Sequence, residues 1–193
     1  MRWFIEMMLL PNADIGQYFI WQKLYQQIHL ALAESKCGEN ASKIGVSFPE
    51  YNADKFHLGT KLRLFAEDEQ SLQDMQCDKW LRCLRDYVQV KPIATVPENL
   101  AGYARFKQVK LKGNKEKLAR RRAKRKGEPY EQALAHYVNY KEQQSKLPYI
   151  NMTSLTNGNR FRLLIEKQLM EQPQTGFYSC YGLNSVPTFG QII

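Results

Sequence analysis

Between Arg105 and Lys126 the chain reads RFKQVKLKGNKEKLARRRAKRK, with twelve Lys or Arg residues and one acid, Glu116. A run of that charge must lie against water, an anionic membrane or a polyanion, and the remaining chain has to fold around that requirement. The segment is +11. The whole chain, with 28 basic and 19 acidic residues, is +9, so the 16 basic and 18 acidic residues elsewhere leave −2. All the excess charge is therefore local. Nucleic acid is the first partner to consider, because each neutralised phosphate releases counterions. The alternation around Phe106 suggests a strand leading into a basic helix.

The 193 residues, 44% hydrophobic and 12% aromatic, are enough for one domain or two small ones with real cores. The four cysteines, Cys37, Cys77, Cys83 and Cys180, never form a two-residue-spaced pair, so neither a zinc site nor a dense disulfide framework is indicated. Met1 to Leu10 is apolar, but too short to span a membrane and interrupted by Arg2 and Glu6. It reads as neither signal peptide nor anchor, and the expected compartment is cytoplasmic.

Trp3 to Leu10, stopped by Pro11, reads as a buried strand. Asp14 is placed to cap a helix over 16–33, in which Ile20, Leu24, Ile28 and Leu32 recur every four residues, widened by Trp21 and Tyr25. His29 sits beside that stripe. Ile44 to Phe48 reads as a strand. A polar loop with His57 and Gly59 follows, then the alternating strand Lys61 to Ala66. Glu67, Asp68 and Glu69 open a helix running towards Trp80. Tyr87 to Val90 is a further strand before Pro92. The order strand, helix, strand, strand, helix, strand is the ferredoxin-like pattern, which hosts many functions.

Lys91 to Asn99 reads as a linker, so the expected domains are 1–95 and 96–193. In the second half Tyr103 to Leu111 alternates as a strand, Asn114 can cap a helix through Lys126, and Gly127 can stop it. Arg121, Lys124 and Arg125 would share one face. Like charges at this spacing oppose an isolated helix, which is expected to need a polyanion for full order. A second helix is expected over 130–140. Asn157-Gly158 signals a hairpin turn between strands at Tyr149 to Thr153 and Arg160 to Glu166, and Gly176 to Leu183 reads as a last aromatic strand. The expected class is α+β: a ferredoxin-like domain, then an RNA-binding half with an arginine-rich helix and a small antiparallel sheet.

Several local signatures converge on one family. Gln27-Ile28-His29-Leu30-Ala31-Leu32, Ile44-Gly45-Val46-Ser47-Phe48-Pro49, the basic helix, Phe161-Arg162-Leu163 and Cys180-Tyr181-Gly182-Leu183 occur in an order and spacing that resembles the CRISPR repeat-processing endoribonucleases of type I-F systems. The resemblance covers nearly the whole chain. It implies an enzyme that cuts the precursor CRISPR RNA 3′ of each repeat hairpin, using the RNA's own 2′-hydroxyl and neither metal nor cofactor. It further implies a protein that is monomeric when alone and stays on its product as a subunit of a type I-F crRNA-guided complex. The family's catalytic histidine falls on His29, its ribose-placing serine on Ser154 and its histidine-orienting tyrosine on Tyr181. Its stem-stacking aromatic falls on Phe161, and its arginine-rich helix matches Arg120, Arg121, Lys124 and Arg125. The family pattern has an arginine and then a glutamine to read purine edges ahead of that helix. This chain has Gln108 and Lys110, followed by Lys112, so its base preferences are expected to be exchanged or relaxed.

Read from the residues alone, several positions stay open. His29 beside an apolar stripe fits a structural histidine as well as a base able to take a proton near neutral pH. Phe161, on a face with Leu163 and Ile165, and Tyr181, in an aromatic run, both fit core residues. Ser154 lacks any nucleophile-elbow signature. The scattered acids offer no two-metal cluster. Against the endoribonuclease stand a non-catalytic RNA-hairpin-binding protein and a DNA-binding protein using the same helix.

Overall fold

A computed structural model of the chain describes residues 1–54, 58–99, 102–141, 143–172, 176–183 and, for the backbone, 189–191. His57 lies outside the described residues. Two compact units emerge, a larger one of residues 1–109 with 147–193 and a smaller one of residues 110–146.

In the larger unit, β1 (Trp3–Leu9), α1 (Gln17–Glu34), β2 (Gly45–Ser47), β3 (Lys61–Ala66), α2 (Glu69–Asp74), α3 (Cys77–Trp80) and β4 (Val88–Val90) follow in order. The antiparallel sheet runs β2-β3-β1-β4. The periodicities explain its burial. Ile5, Met7 and Leu9 alternate into the core, and α1 answers with Ile20, Trp21, Leu24, Tyr25, Ile28, Ala31 and Leu32. On the opposite face of β1, Glu6 is only 5% exposed and pairs at 2.6 Å with both Arg63 and Lys91.

Three expectations for this half are corrected. Asp14 does not cap α1: the Asn12 side chain accepts from the amides of Asp14 and Ile15 at 2.9 and 2.8 Å, and Gly16 stands at the cap without a side-chain bond. The Asx turn organises the loop one turn too early for Asp14 to reach the helix amides. The helix opened by the acids does not run on to Trp80. Asp68 caps α2 through the Ser71 amide at 2.7 Å, and Gln76 at φ 48° breaks it from α3, which lets Met75, Cys77 and Leu81 all be buried. Nor is Lys91 to Asn99 a free linker, because β5 (Ala94–Thr95) pairs with Trp3 and Phe4 of β1, beyond the stretch taken by β4.

A second antiparallel sheet in the same unit runs β7-β8-β6-β9, with β6 at Gly102–Val109, β7 at Tyr149–Thr153, β8 at Arg160–Met170 and β9 at Phe189–Gln191. Asn157-Gly158 lies in the turn between β7 and β8, as expected, with Gly158 at φ 68°. The two sheets share one core: the Phe48 ring meets Trp21, Tyr25 and Phe106 at 5.7, 5.9 and 5.4 Å, and the Tyr51 hydroxyl donates to Ile165 O at 2.9 Å. Gly176 to Leu183 is not a strand. Tyr178 makes an isolated bridge to Ser42, after which Ser179 and Leu183 close a turn. Gly182 at φ 66° makes that turn possible, and no β-carbon would fit there, since it would lie 2.2 Å from Val46 Cγ2. Cys37 and Cys83 are exposed, Cys77 and Cys180 buried, and all four are free thiols.

The smaller unit holds α4 (Lys115–Lys126) and α5 (Tyr130–Ala135). Asn114 caps α4 through the Lys117 amide at 3.0 Å, and left-handed Gly127 ends it, both as expected. The α5 helix ends five residues short of the expected boundary. Glu116 in the first turn and Lys124, Arg125 and Lys126 in the last suit the helix dipole, and Ala119 and Ala133 are fully buried between the two helices. Arg122 turns away from water towards Glu128, with 2.6 Å between Nε and Oε1, and towards His136 Nε2 at 3.0 Å. Together these offset the repulsion among the basic side chains. Among the described residues no helix is long and apolar enough to cross a membrane.

Candidate active site

His29 projects from the half-buried flank of α1, next to the fully buried Ile28. Its Nδ1 lies 2.8 Å from Cys180 O. A carbonyl oxygen can only accept, so in the neutral ring Nδ1 carries the proton and Nε2 keeps the lone pair. Among the described residues Nε2 has no hydrogen-bond partner. The Tyr181 ring lies flat on the imidazole, with centroids 4.1 Å apart and planes 3° from parallel, and Phe161 meets Tyr181 edge-on at 6.4 Å and 88°. Backbone and ring together thus fix both the tautomer and the tilt of His29.

The Cys180–Gly182 turn is itself anchored. The Tyr25 hydroxyl donates to Tyr181 O at 2.8 Å, and the Val46 amide donates to Gly182 O at 2.9 Å. Burial, with the neighbouring Cys180 thiol adding to it, holds the Tyr181 hydroxyl above the usual phenol range, so it stays a neutral donor. Burial does the same to Tyr25.

Ser154 follows the last residue of β7. Its amide donates to Asn159 O at 2.9 Å and its carbonyl accepts from Gly158 N at 2.8 Å, while its hydroxyl has no partner among the described residues. The preceding Thr153 amide donates to Gln26 Oε1 at 3.2 Å, three residues before His29 on α1. Among the described residues, no three His, Cys, Asp or Glu side chains group as a metal site.

The sequence-derived site residues therefore divide. His29, Tyr181 and Phe161 are in contact, and Ser154 is tied to the same helix through its neighbour. Phe161 is half-buried at the edge of the core, opposite Met152 in the β7–β8 pairing. Gln108, half-buried on β6 opposite Ile165, belongs to the larger unit, whereas Lys110 and Lys112 are exposed in the smaller one. Arg120, Arg121, Lys124 and Arg125 of α4 are all exposed, and no acid pairs with them among the described residues. Four contributors escape sequence reading. The Cys180 carbonyl, being backbone, leaves no trace in residue identity, and Tyr25 and Gln26 look like ordinary helix residues. Gly182 is visible only as part of the Cys180–Leu183 run.

A family model described as "CRISPR-associated protein (Cas_Csy4)" matches residues 4–189. A "CRISPR-associated endonuclease Cas6/Csy4" of Escherichia coli (strain UTI89 / UPEC) is 32% identical over 186 residues, covering 96% of each chain. Its namesake in Pseudomonas aeruginosa (strain UCBPP-PA14) is 29% identical over 190 residues, covering 96% of this chain and 98% of that one. Among solved structures, "An RAMP protein binding different RNA substrates" aligns over 98% of this chain at 10% identity with a TM-score of 0.39, too distant a likeness to carry weight. With the family match spanning residues 4–189, the chain belongs to the CRISPR-associated Csy4 family.

Proposed function

We propose that this chain is a metal-independent endoribonuclease that recognises the repeat hairpin of precursor CRISPR RNA and cuts 3′ of the stem. The observation that carries the reading is the His29 imidazole, held with Nδ1 on a backbone carbonyl and Nε2 unengaged. In the reaction Nε2 takes the proton of the 2′-hydroxyl upstream of the cut, and the 2′-oxygen attacks the adjacent phosphorus. The bond from phosphorus to the 5′-oxygen breaks, that oxygen takes a proton from solvent, and a 2′,3′-cyclic phosphate and a 5′-hydroxyl result. Ser154 places the ribose and Tyr181 orients His29 by stacking. Phe161 caps the hairpin's last base pair, a stack worth about 1–3 kcal/mol by analogy with single-stranded sites.

The exposed Arg120, Arg121, Lys124 and Arg125 bind phosphates, since the deep, narrow major groove of A-form RNA hides its base edges. Gln108 and Lys110, with Lys112, make the contacts at the stem foot. Gln suits adenine and Lys suits guanine acceptors. The protein, monomeric when alone and cytoplasmic, then stays on its product as a subunit of a type I-F surveillance complex. Residues 1–95 form a ferredoxin-like domain and 96–193 the RNA-binding half. The strand order β2-β3-β1-β4, with α1 between β1 and β2 and α2 between β3 and β4, supports the first of these.

Incubating the purified protein with its hairpin RNA in EDTA tests the proposal. Cleavage that survives chelation and disappears with one 2′-deoxy substitution upstream of the cut is expected. Intact RNA bound under every condition would leave the non-catalytic hairpin binder standing instead.

A further inference from the structure

We infer that Gln26 is a positioning residue for this cleavage, one that sets Ser154 against His29. The inference rests on the endoribonuclease reading above. Gln26 and His29 are three residues apart on α1, so they share a face of one rigid helix. Strand β7 is the edge of its sheet, and an edge strand leaves backbone groups without a strand partner. Gln26 Oε1 accepts from one of these, the amide of Thr153 at 3.2 Å. The next residue is Ser154, whose amide and carbonyl are already held by Asn159 and Gly158. The path from imidazole to serine thus runs through a helix, one side-chain amide and a closed turn.

The other half of the Gln26 amide argues that stability is not what the residue serves. Its Nε2 is buried and has no hydrogen-bond partner among the described residues. An unpaired buried donor costs free energy that an apolar side chain of similar length would not. Sites that break a local rule in this way concentrate where function requires it.

Gln26→Met tests this, because it keeps the length, removes the acceptor for Thr153 and also removes the unpaired donor. The variant should melt at or above the wild-type temperature and bind the hairpin within about twofold of wild type. Its single-turnover cleavage constant at saturating protein should fall about 10- to 100-fold, the scale of a small misplacement of reacting groups. Against a Ser154→Ala background the same change should have little added effect, since both act through one serine. A wild-type rate in Gln26→Met overturns the inference, as does a loss that is fully additive with Ser154→Ala. A loss that comes with a lowered melting temperature and weakened binding likewise overturns it, by making the role structural. If the wild-type protein does not cut at all, it is the endoribonuclease reading that fails.

Discussion

The basic helix α4 and the surroundings of His29 solve opposite problems. The helix carries many exposed charges on a segment whose start and stop are written locally in Asn114 and Gly127. The His29 site has few groups, each held by something remote: Cys180 is 151 residues from His29 along the chain, and Tyr181 is 156 from Tyr25. On the proposed reading, a phosphate grip summed over flexible cations tolerates loss and feels salt, whereas a proton transfer needs one nitrogen in one tautomer. Changes in the two regions should therefore be felt in different measurements.

The largest effect is expected from His29→Ala. Cleavage should fall about 10²- to 10⁴-fold while hairpin affinity is kept, as single-turnover kinetics beside a binding titration would reveal. Equal loss of binding would erase the contrast between the regions. Gly182→Ala comes next, because a β-carbon at positive φ would run into Val46. We expect about 3 kcal/mol of lost stability in a denaturant titration, together with slower cutting, as the turn bearing Cys180 and Tyr181 is displaced. A stable Gly182→Ala protein with normal cleavage would contradict the anchoring role assigned to that turn.

Glu6→Gln tests whether the scaffold beneath the site depends on its buried charge. Burial acts to raise the Glu6 carboxyl, but hydrogen bonds and charge from Lys91 and Arg63 outweigh it and leave the group below the usual carboxylate range. A depressed folded value means this stabilisation is complete above the unfolded value, near 4.5, and is lost as pH falls through the lowered folded one. Glu6→Gln should cost about 2 kcal/mol at neutral pH and less in acid, measured as denaturation midpoint against pH. A cost that does not change with pH would place the effect in packing. The smallest effect is expected at the helix. Arg121→Ala with Arg125→Ala should weaken RNA binding about tenfold at low salt and reduce the slope of log affinity against log salt by about 1 to 2. The cut site should not move, and a shifted one would mean that the helix sets register as well as grip.

Much of the fold was legible because its signals are short-range. The period-four stripe of α1, the strand Lys61–Ala66, the Asn157-Gly158 turn and both ends of α4 all appear where local pattern places them. The misreadings do not all share one cause. Asp14 was drawn into a local turn closed by Asn12 and left α1 without a side-chain cap, Gln76 took a left-handed conformation unusual for its type, and Lys91–Asn99 found a strand partner in β1. In the last two, burial or pairing with distant residues overrode local preference.

By itself, then, the sequence determined which residues are chemically capable: an imidazole beside an apolar stripe, a capped basic helix too charged to bury, and the order of strands and helices. Only the tertiary structure decided what that imidazole is: a nitrogen pair told apart by the Cys180 carbonyl, flattened against Tyr181, and linked through Gln26 to the turn of Ser154. Side-chain periodicity records which face a residue turns to the core. It carries no record of which backbone carbonyl, some 150 residues away, will meet it there.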